Sequence, residues 1–318
     1  MRYVLRADAS RSIGAGHVMR SSAIAEELIA RGEDVVFVGR ISDLPWVEER
    51  IASLGFANIY DNPNDFFSNN RSDVLLLDSY EISIYDNFIA PENWRHIVAI
   101  VDELTPNYHC SLRIHPSLDS SWIGESKAPI LAGPQYIPFR SSLSKKIART
   151  VQDPRKLKII VVAGGSDPHN LVLEIARALV LFPEPFEAYL FSNSSSTVAL
   201  DNRFHYLEIG SMLDEVSSDA DLVLTTSSTS SLEFIARGLC VGVACAVDNQ
   251  RQYYDSLGQL GVSAQIGLRT PALGWNLDVE TIRMLVSQPD YRERLTMKAV
   301  GLIDFHGASR IADAITAL

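Results

Sequence analysis

Short, unbroken apolar runs constrain this chain more than any other feature. Val74-Leu75-Leu76-Leu77 runs straight into Asp78-Ser79-Tyr80, and residues 96–101 run straight into Asp102-Glu103. Residues 34–39 form another such run. A strand with one wet face alternates apolar and polar side chains; these runs do not alternate, so both faces must be covered. That is the habit of a parallel sheet sandwiched between helices. The polar residues closing each run predict ligand-facing groups gathered along one sheet edge.

The first run, Tyr3-Val4-Leu5, leads through Gly14-Ala15-Gly16 into a helical pattern over residues 18–31, with Gly32 placed as its C-cap. Strand, glycine turn and helix together point free backbone N–H groups and the positive end of a helix dipole at an anion. His17 stands at the mouth of this turn, and Arg6, Asp8, Arg11 and Arg20 crowd the same strand-end loop. Many α/β chains use a Gly-x-Gly turn only to reverse direction, and a single histidine at a helix start often caps or packs. Here the local density of charge, beside a group that titrates near neutrality, marks a candidate site for chemistry on a phosphorylated substrate.

The same grammar restarts in the second half. Beyond a polar, proline-broken stretch at 141–156, strand 158–162 meets Gly164-Gly165 and a helix over 170–181. Strands are expected at 186–191, 204–209, 222–224 and 241–247, with helices at 46–54, 212–217, up to 237, and 250–260. Two or three amphipathic helices are expected from 279 onward. The expected organisation is an N-terminal Rossmann-like domain over 1–148 and a nucleotide-binding one over 156–300. A C-terminal helix within 301–318 is expected to pack back on the first domain.

Bulk properties narrow the function classes. With 318 residues, 47% hydrophobic and 21% charged, the chain has an ordinary globular composition. A formal net charge of −11 argues against nonspecific binding to nucleic acid, which needs a basic surface. Arg6 and Asp8 interrupt the N-terminus before an apolar leader segment can form. The longest uncharged apolar run, 239–247, is too short to span a bilayer. Cys110, Cys240 and Cys245 form no CxxC pair and read as reduced thiols of a cytoplasmic protein. His109, Cys110 and His115 fit no common metal-site spacing, so no metal and no cofactor is expected. Asp102 and Glu103 resemble an acid/base pair, but neighbours on an extended segment point oppositely and only one can face a given substrate.

A second cluster of candidate ligands lies beyond residue 160. Gly164-Gly165-Ser166-Asp167 serves equally well as a capped βα turn or as a cradle for a diphosphate. The hydroxyl run Thr225-Thr226-Ser227-Ser228-Thr229-Ser230-Ser231 places many donors at a helix start. Glu233 suits the vicinal hydroxyls of a ribose, or else a capping box with Ser230. Asp248-Asn249-Gln250 reads by itself as a helix N-cap.

These motifs together resemble a known family. Arg6-Ala7-Asp8-Ala9-Ser10, Ile13-Gly14 and Gly16-His17-Val18-Met19-Arg20 are similar to the N-terminal signature of the UDP-sugar hydrolases of pseudaminic acid biosynthesis (PseG) and of related spore-coat polysaccharide proteins. The likeness continues through Asp78-Ser79-Tyr80, Gly133-Pro134 with Tyr136 and Arg140, Gly164-Gly165-Ser166-Asp167 with Asn170, Ser231 with Glu233, and Asp248-Asn249-Gln250. The resemblance implies a GT-B fold, two doubly wound α/β domains facing across a cleft. It also implies metal-independent removal of UDP from UDP-2,4-diacetamido-2,4,6-trideoxy-β-L-altropyranose by water attack at the anomeric carbon. His17 would position or deprotonate the water, and Arg6, Asp8, Arg20, Tyr80, Asn249 and Gln250 would meet the substrate. Gly14 and Gly16 would approach the diphosphate. Gly164, Gly165, Ser166, Ser228, Ser230 and Ser231 would hold the UDP, with Glu233 on the ribose. The sequence departs from the family's usual pattern at Ser21, Glu103, His115, Pro138-Phe139, Ser141-Ser142 and Ser228, mostly on the presumed sugar side. The expected partner is thus a small UDP-sugar, without nucleic acid or membrane insertion. The alternatives are a GT-B glycosyltransferase with an acceptor hydroxyl in place of water, or a nucleotide-sugar-binding protein without activity.

Overall fold

The first apolar runs form a parallel sheet in which the chain's opening strand lies near the middle. This is seen in a computed structural model that describes residues 1–66, 72–102, 109–118, 128–143, 156–192, 201–210 and 212–318. The chain divides into two compact units, Met1–Ser142 with Asp304–Leu318, and Leu143–Ile303. The first unit contains β1 (Arg2–Ala7), α1 (Gly16–Ala30), β2 (Asp34–Val38), α2 (Pro45–Ser53), β3 (Asn58–Tyr60), β4 (Val74–Asp78), β5 (His96–Ile100), β6 (Leu112–His115) and β7 (Ile130–Ala132). Its strand order is β3-β2-β1-β4-β5-β6-β7, and every pairing is parallel.

The second unit repeats the scheme. It contains β8 (Leu157–Val162), α3 (Leu171–Val180), β9 (Phe186–Phe191), β10 (Phe204–Leu207), α4 (Met212–Ser217), β11 (Leu222–Thr226), α5 (Thr229–Ala236), β12 (Cys240–Cys245) and α6 (Arg251–Leu260). β13 (Ala264–Thr270), β14 (Gly274–Leu277), α7 (Val279–Ser287) and α8 (Pro289–Ala299) complete it. The order is β10-β9-β8-β11-β12-β13-β14, parallel except for the β13–β14 hairpin. In both sheets the chain starts in the middle, works outward to one side and then switches to the other. The switch falls between β1 and β4 in one unit and between β8 and β11 in the other, where open α/β sheets bind ligands.

Burial follows the two-residue period of each strand. Tyr3, Leu5, Ala7, Val74, Leu76, Val98 and Ile100 pack with α1 on one face of the first sheet. Val4, Val36, Leu75, Leu77, Ile97 and Ala99 pack with Phe66 and Trp94 on the other. Both faces are dry, which is why these runs never alternate. The last helix, α9 (Gly307–Thr316), joins the first unit: Ile311, Ala312 and Ile315 are buried in the same cluster as α1. The approach is close enough that a Cβ on Gly307 would lie 2.0 Å from the Ile137 carbonyl oxygen.

Several strands carry no signal of the kind that marks the others. β3 is short and outward-facing, and β6 mixes Arg113 and His115 into its apolar residues. The β13–β14 hairpin falls in a stretch, 264–277, where no strand is expected from sequence. Strands expected at 204–209 and 241–247 are Phe204–Leu207 and Cys240–Cys245. Most of the polar stretch expected to link the domains lies outside the described residues.

Candidate active site

Two carboxylates are brought to one place by strand register. Asp78 ends β4 and pairs with Ala7, so it shares the α1 face with Leu76. Asp102 follows β5 in the same alternation as Val98 and Ile100, on that same face. The first turns of α1 lie above both, and Arg20, one turn into the helix, bridges them. Its Nε and Nη2 each donate to Asp78 at 2.7 Å, and its Nη1 and Nη2 donate to Asp102 at 3.1 and 2.8 Å. Tyr80 donates its hydroxyl to Asp102 at 2.6 Å.

His17 completes the array. It lies one turn before Arg20 and is 7% exposed. Its Nδ1 stands 2.6 Å from Asp78 Oδ1. An unprotonated Nδ1 would aim its lone pair at a carboxylate at that distance, so Nδ1 carries a proton, and in the neutral ring the lone pair lies on Nε2. The 3.3 Å approach of Arg20 Nη2 to Nδ1 is then packing between two donors, not a hydrogen bond. The Tyr80 ring meets the imidazole edge-on, with centroids 4.3 Å apart.

The protonation states follow from the surroundings. Burial pushes the Asp78 carboxyl up, but the Arg20 charge and the hydrogen bonds from Arg20 and His17 outweigh it and hold it below the usual carboxylate range. Burial acts on Asp102 in the same sense, and Arg20 with the Tyr80 hydroxyl holds it well below that range. Burial would weaken Arg20 as a cation, yet Asp102 and Asp78 keep it firmly protonated. Burial and the neighbouring Asp102 push the Tyr80 phenol up, so it stays neutral.

The other residues of the first loop have partners of their own. Asp8 accepts from the Arg40 backbone N–H at 2.8 Å, and Arg6 Nη1 lies 2.6 Å from the same Asp8 oxygen, an ion pair outside hydrogen-bond alignment. Gly14 lies in the turn and Gly16 is the first residue of α1. The N-terminus of α1 carries no side-chain cap and no acidic residue in its first turn. Arg20, expected at the substrate, instead spends its guanidinium on Asp78 and Asp102.

In the second unit the two switch-point loops converge. Gly164 has φ +87°, and a Cβ built there would lie 3.8 Å from Thr226 Oγ1, 3.9 Å from Ser228 Oγ and 4.0 Å from Ser230 Oγ. Gly165 and Ser166 continue this turn, partly buried. Asp167 then closes the N-terminus of α3, accepting from Leu171 N at 2.8 Å and Val172 N at 3.0 Å. That helix end is satisfied by its own chain, whereas the N-cap of α5, Ser228, makes no side-chain cap bond and its first turn holds no acid. Glu233 is partly buried on α5, beyond the position a capping box with Ser230 would require, because the cap is Ser228.

Two expected ligands are turned inward. Ser231 is fully buried and donates its hydroxyl to the Ser228 carbonyl at 2.7 Å, leaving Ser228, Thr229 and Ser230 as the partly exposed hydroxyls of the turn. The Gln250 side chain accepts from Ala246 N at 2.9 Å and braces the loop after β12. Asn249 is exposed on the short turn Asp248–Gln250. Among the described residues no three His, Cys, Asp or Glu side chains come together as metal ligands, and no helix is long and apolar enough to cross a membrane.

The site assignment from sequence left out Asp78 and Asp102. The signal was present, a carboxylate closing each apolar run, but nothing local says that one arginine joins the two. Glu103 lies outside the described residues.

Comparison with solved structures settles the architecture. MurG of Acinetobacter baumannii superposes with a TM-score of 0.66 at 11% identity, covering 100% of both chains. The glycosyltransferase of kitacinnamycin gives 0.66 at 14% identity over 99% of this chain and 98% of its own. SsfS6 of Streptomyces sp. SF2575, complexed with thymidine diphosphate, gives 0.61 at 11% over 100% of both. The chain has a GT-B fold. No protein-family model matches it. By sequence it is 25% identical over 191 residues to the UDP-2,4-diacetamido-2,4,6-trideoxy-beta-L-altropyranose hydrolase of Campylobacter jejuni, covering 56% of this chain and 66% of that protein. It is 24% identical over 286 residues to an uncharacterized protein of Methanocaldococcus jannaschii, covering 80% of this chain and 58% of that one. The chain thus spans less than two thirds of either relative.

Proposed function

We propose that this protein hydrolyses a UDP-linked deoxy-acetamido sugar, with His17 as the general base. The observation that carries the proposal is the His17–Asp78 pair: a buried imidazole whose Nδ1–H is fixed by an ionised carboxylate, leaving Nε2 to take a proton. In the reaction, water gives a proton to Nε2 as its oxygen bonds to the anomeric carbon. The bond from that carbon to the β-phosphate oxygen breaks, and its electron pair leaves with UDP. A base of this kind contributes ~10²–10⁴-fold in rate.

The uncapped start of α5 suits the leaving group. Growing charge on the diphosphate is met by oriented N–H donors, and in the second unit the start of α5 has donors to spare while that of α3 does not. Thr226, Ser228 and Ser230 around Gly164 support a nucleotide diphosphate in the second unit, with Glu233 assigned to the ribose. Asp8, Tyr80 and Asn249 are assigned to the sugar, and Gly165 and Ser166 to the neighbourhood of the base. The hydrolase relative supports the choice of a UDP-linked 2,4-diacetamido-2,4,6-trideoxyhexose, the substrate type of pseudaminic acid biosynthesis.

A second reading is a glycosyltransferase, favoured by the solved structures of like fold. A His–Asp pair deprotonates a sugar hydroxyl as readily as water. The exposure of His17, 7%, favours the smaller nucleophile. Incubation with a panel of UDP-sugars and no acceptor separates the two: release of free UDP and free sugar supports hydrolysis. Turnover that begins only when an acceptor glycan is added refutes it.

A further inference from the structure

Among the described residues, the buried array around His17 is one proton short of neutrality. Asp78 and Asp102 are both ionised, Arg20 supplies a single positive charge, and Tyr80 is neutral. Arg6 and Asp8, at the end of β1, offset each other. With His17 neutral, these described side chains together hold one negative charge in excess. When Nε2 gains a proton, the excess disappears.

We infer that Asp102, although it does not touch His17, is a positioning residue whose charge, relayed through Arg20, lets His17 accept a proton during the reaction. The inference rests on the hydrolase reading only for its kinetic test. Arg20 alone beside Asp78 would make an internally neutral pair, and protonating His17 there would bury an uncompensated cation. Asp102 supplies the missing counter-charge from the neighbouring strand, through the two guanidinium bonds of 3.1 and 2.8 Å. The Tyr80 hydroxyl, at 2.6 Å, holds that carboxylate in place. His17 meets Arg20 from its own helix and Asp78 and Tyr80 from the end of β4, and Asp102 at the end of β5 reaches it through Arg20.

The inference predicts opposite responses from two neighbours. In Asp102→Asn the acid limb of the pH–rate profile for UDP release moves down by about 1 pH unit. Its plateau kcat falls about tenfold or more while KM stays within a few-fold. In Arg20→Met the acid limb moves up by a similar amount. Asp102→Glu, which restores the charge, returns the limb toward the wild-type position. A purely structural role for Asp102 lowers thermal stability in Asn and Glu variants alike and leaves the limb in place, and that outcome overturns the inference. So does movement of the limb in the same direction in Asp102→Asn and Arg20→Met. If Arg20→Met does not fold, the Asp102 pair decides by itself. If wild-type protein releases UDP from no UDP-sugar, the hydrolase reading fails instead. The charge relay is then judged on the free protein by NMR titration of the His17 ring, which must respond to Asp102→Asn in the direction given above.

Discussion

At His17 the neighbours decide the chemistry. Its Nδ1–H is held by Asp78, so under the proposed hydrolysis replacing the ring removes the base and not the nucleotide site. His17→Phe is expected to reduce UDP release by ~10²-fold or more while UDP affinity, measured by calorimetry, stays near wild type. Asp78→Asn keeps the shape but offers an amide that tolerates the wrong tautomer. A comparable loss in kcat is expected, with KM little changed. Glu233→Ala is expected to weaken UDP binding by about tenfold, the worth of a charged hydrogen bond to a ribose. The histidine stands out in the sequence as a candidate because it directly follows the Gly14-Ala15-Gly16 turn. The fate of Arg20 was not. A charged residue beside a candidate base looks like a ligand, and only the register of β4 and β5 shows its guanidinium already engaged on both sides. Ser231 is a similar case, since a run of hydroxyls does not reveal which one the first turn of a helix turns inward.

Among the elements, helix termini and close approaches carry the measurable consequences. Asp167 accepts two backbone N–H bonds at the start of α3. Asp167→Ala is expected to cost ~1 kcal/mol in a urea titration, the usual price of a lost cap. Gly307 opens α9 against the Ile137 backbone, where no Cβ fits without displacement. Gly307→Ala is expected to destabilise the first unit by about 1–3 kcal/mol and to loosen α9, seen as faster amide exchange in that helix. Continuous strands such as β1, β4, β5, β8 and β11 were readable because both faces are buried. β6 and the β13–β14 hairpin were not: Arg113 and His115 break the apolar run of the first, and the second pairs antiparallel at a sheet edge, where burial is incomplete.

On the scale of the whole molecule, the buried carboxylates tie stability to pH. Asp78 and Asp102 are held below their ordinary range in the folded chain. Unfolded, they bind protons at about pH 4, so acid favours the unfolded chain. The stability they contribute is present above that pH and drains away as pH falls toward their folded values. Chemical denaturation between about pH 5 and pH 2.5 is expected to show a steep loss of stability in wild type and a shallower one in Asp102→Asn. Equal slopes would mean that the Asp102 carboxyl is not held ionised by Arg20.

The sequence alone determined what local patterns can carry. Unbroken apolar runs dictated the parallel strands of both sheets, glycine turns located the loops after β1 and β8, and the repeated grammar divided the chain in two. Tertiary structure decided which side chains meet. His17 and Arg20 find Asp78 across 61 and 58 residues, and Arg20 finds Asp102 across 82. The physical reason is that a polar group's partner in a buried site is set by strand register and helix placement, which depend on the packing of the entire unit and leave no mark in the residues on either side.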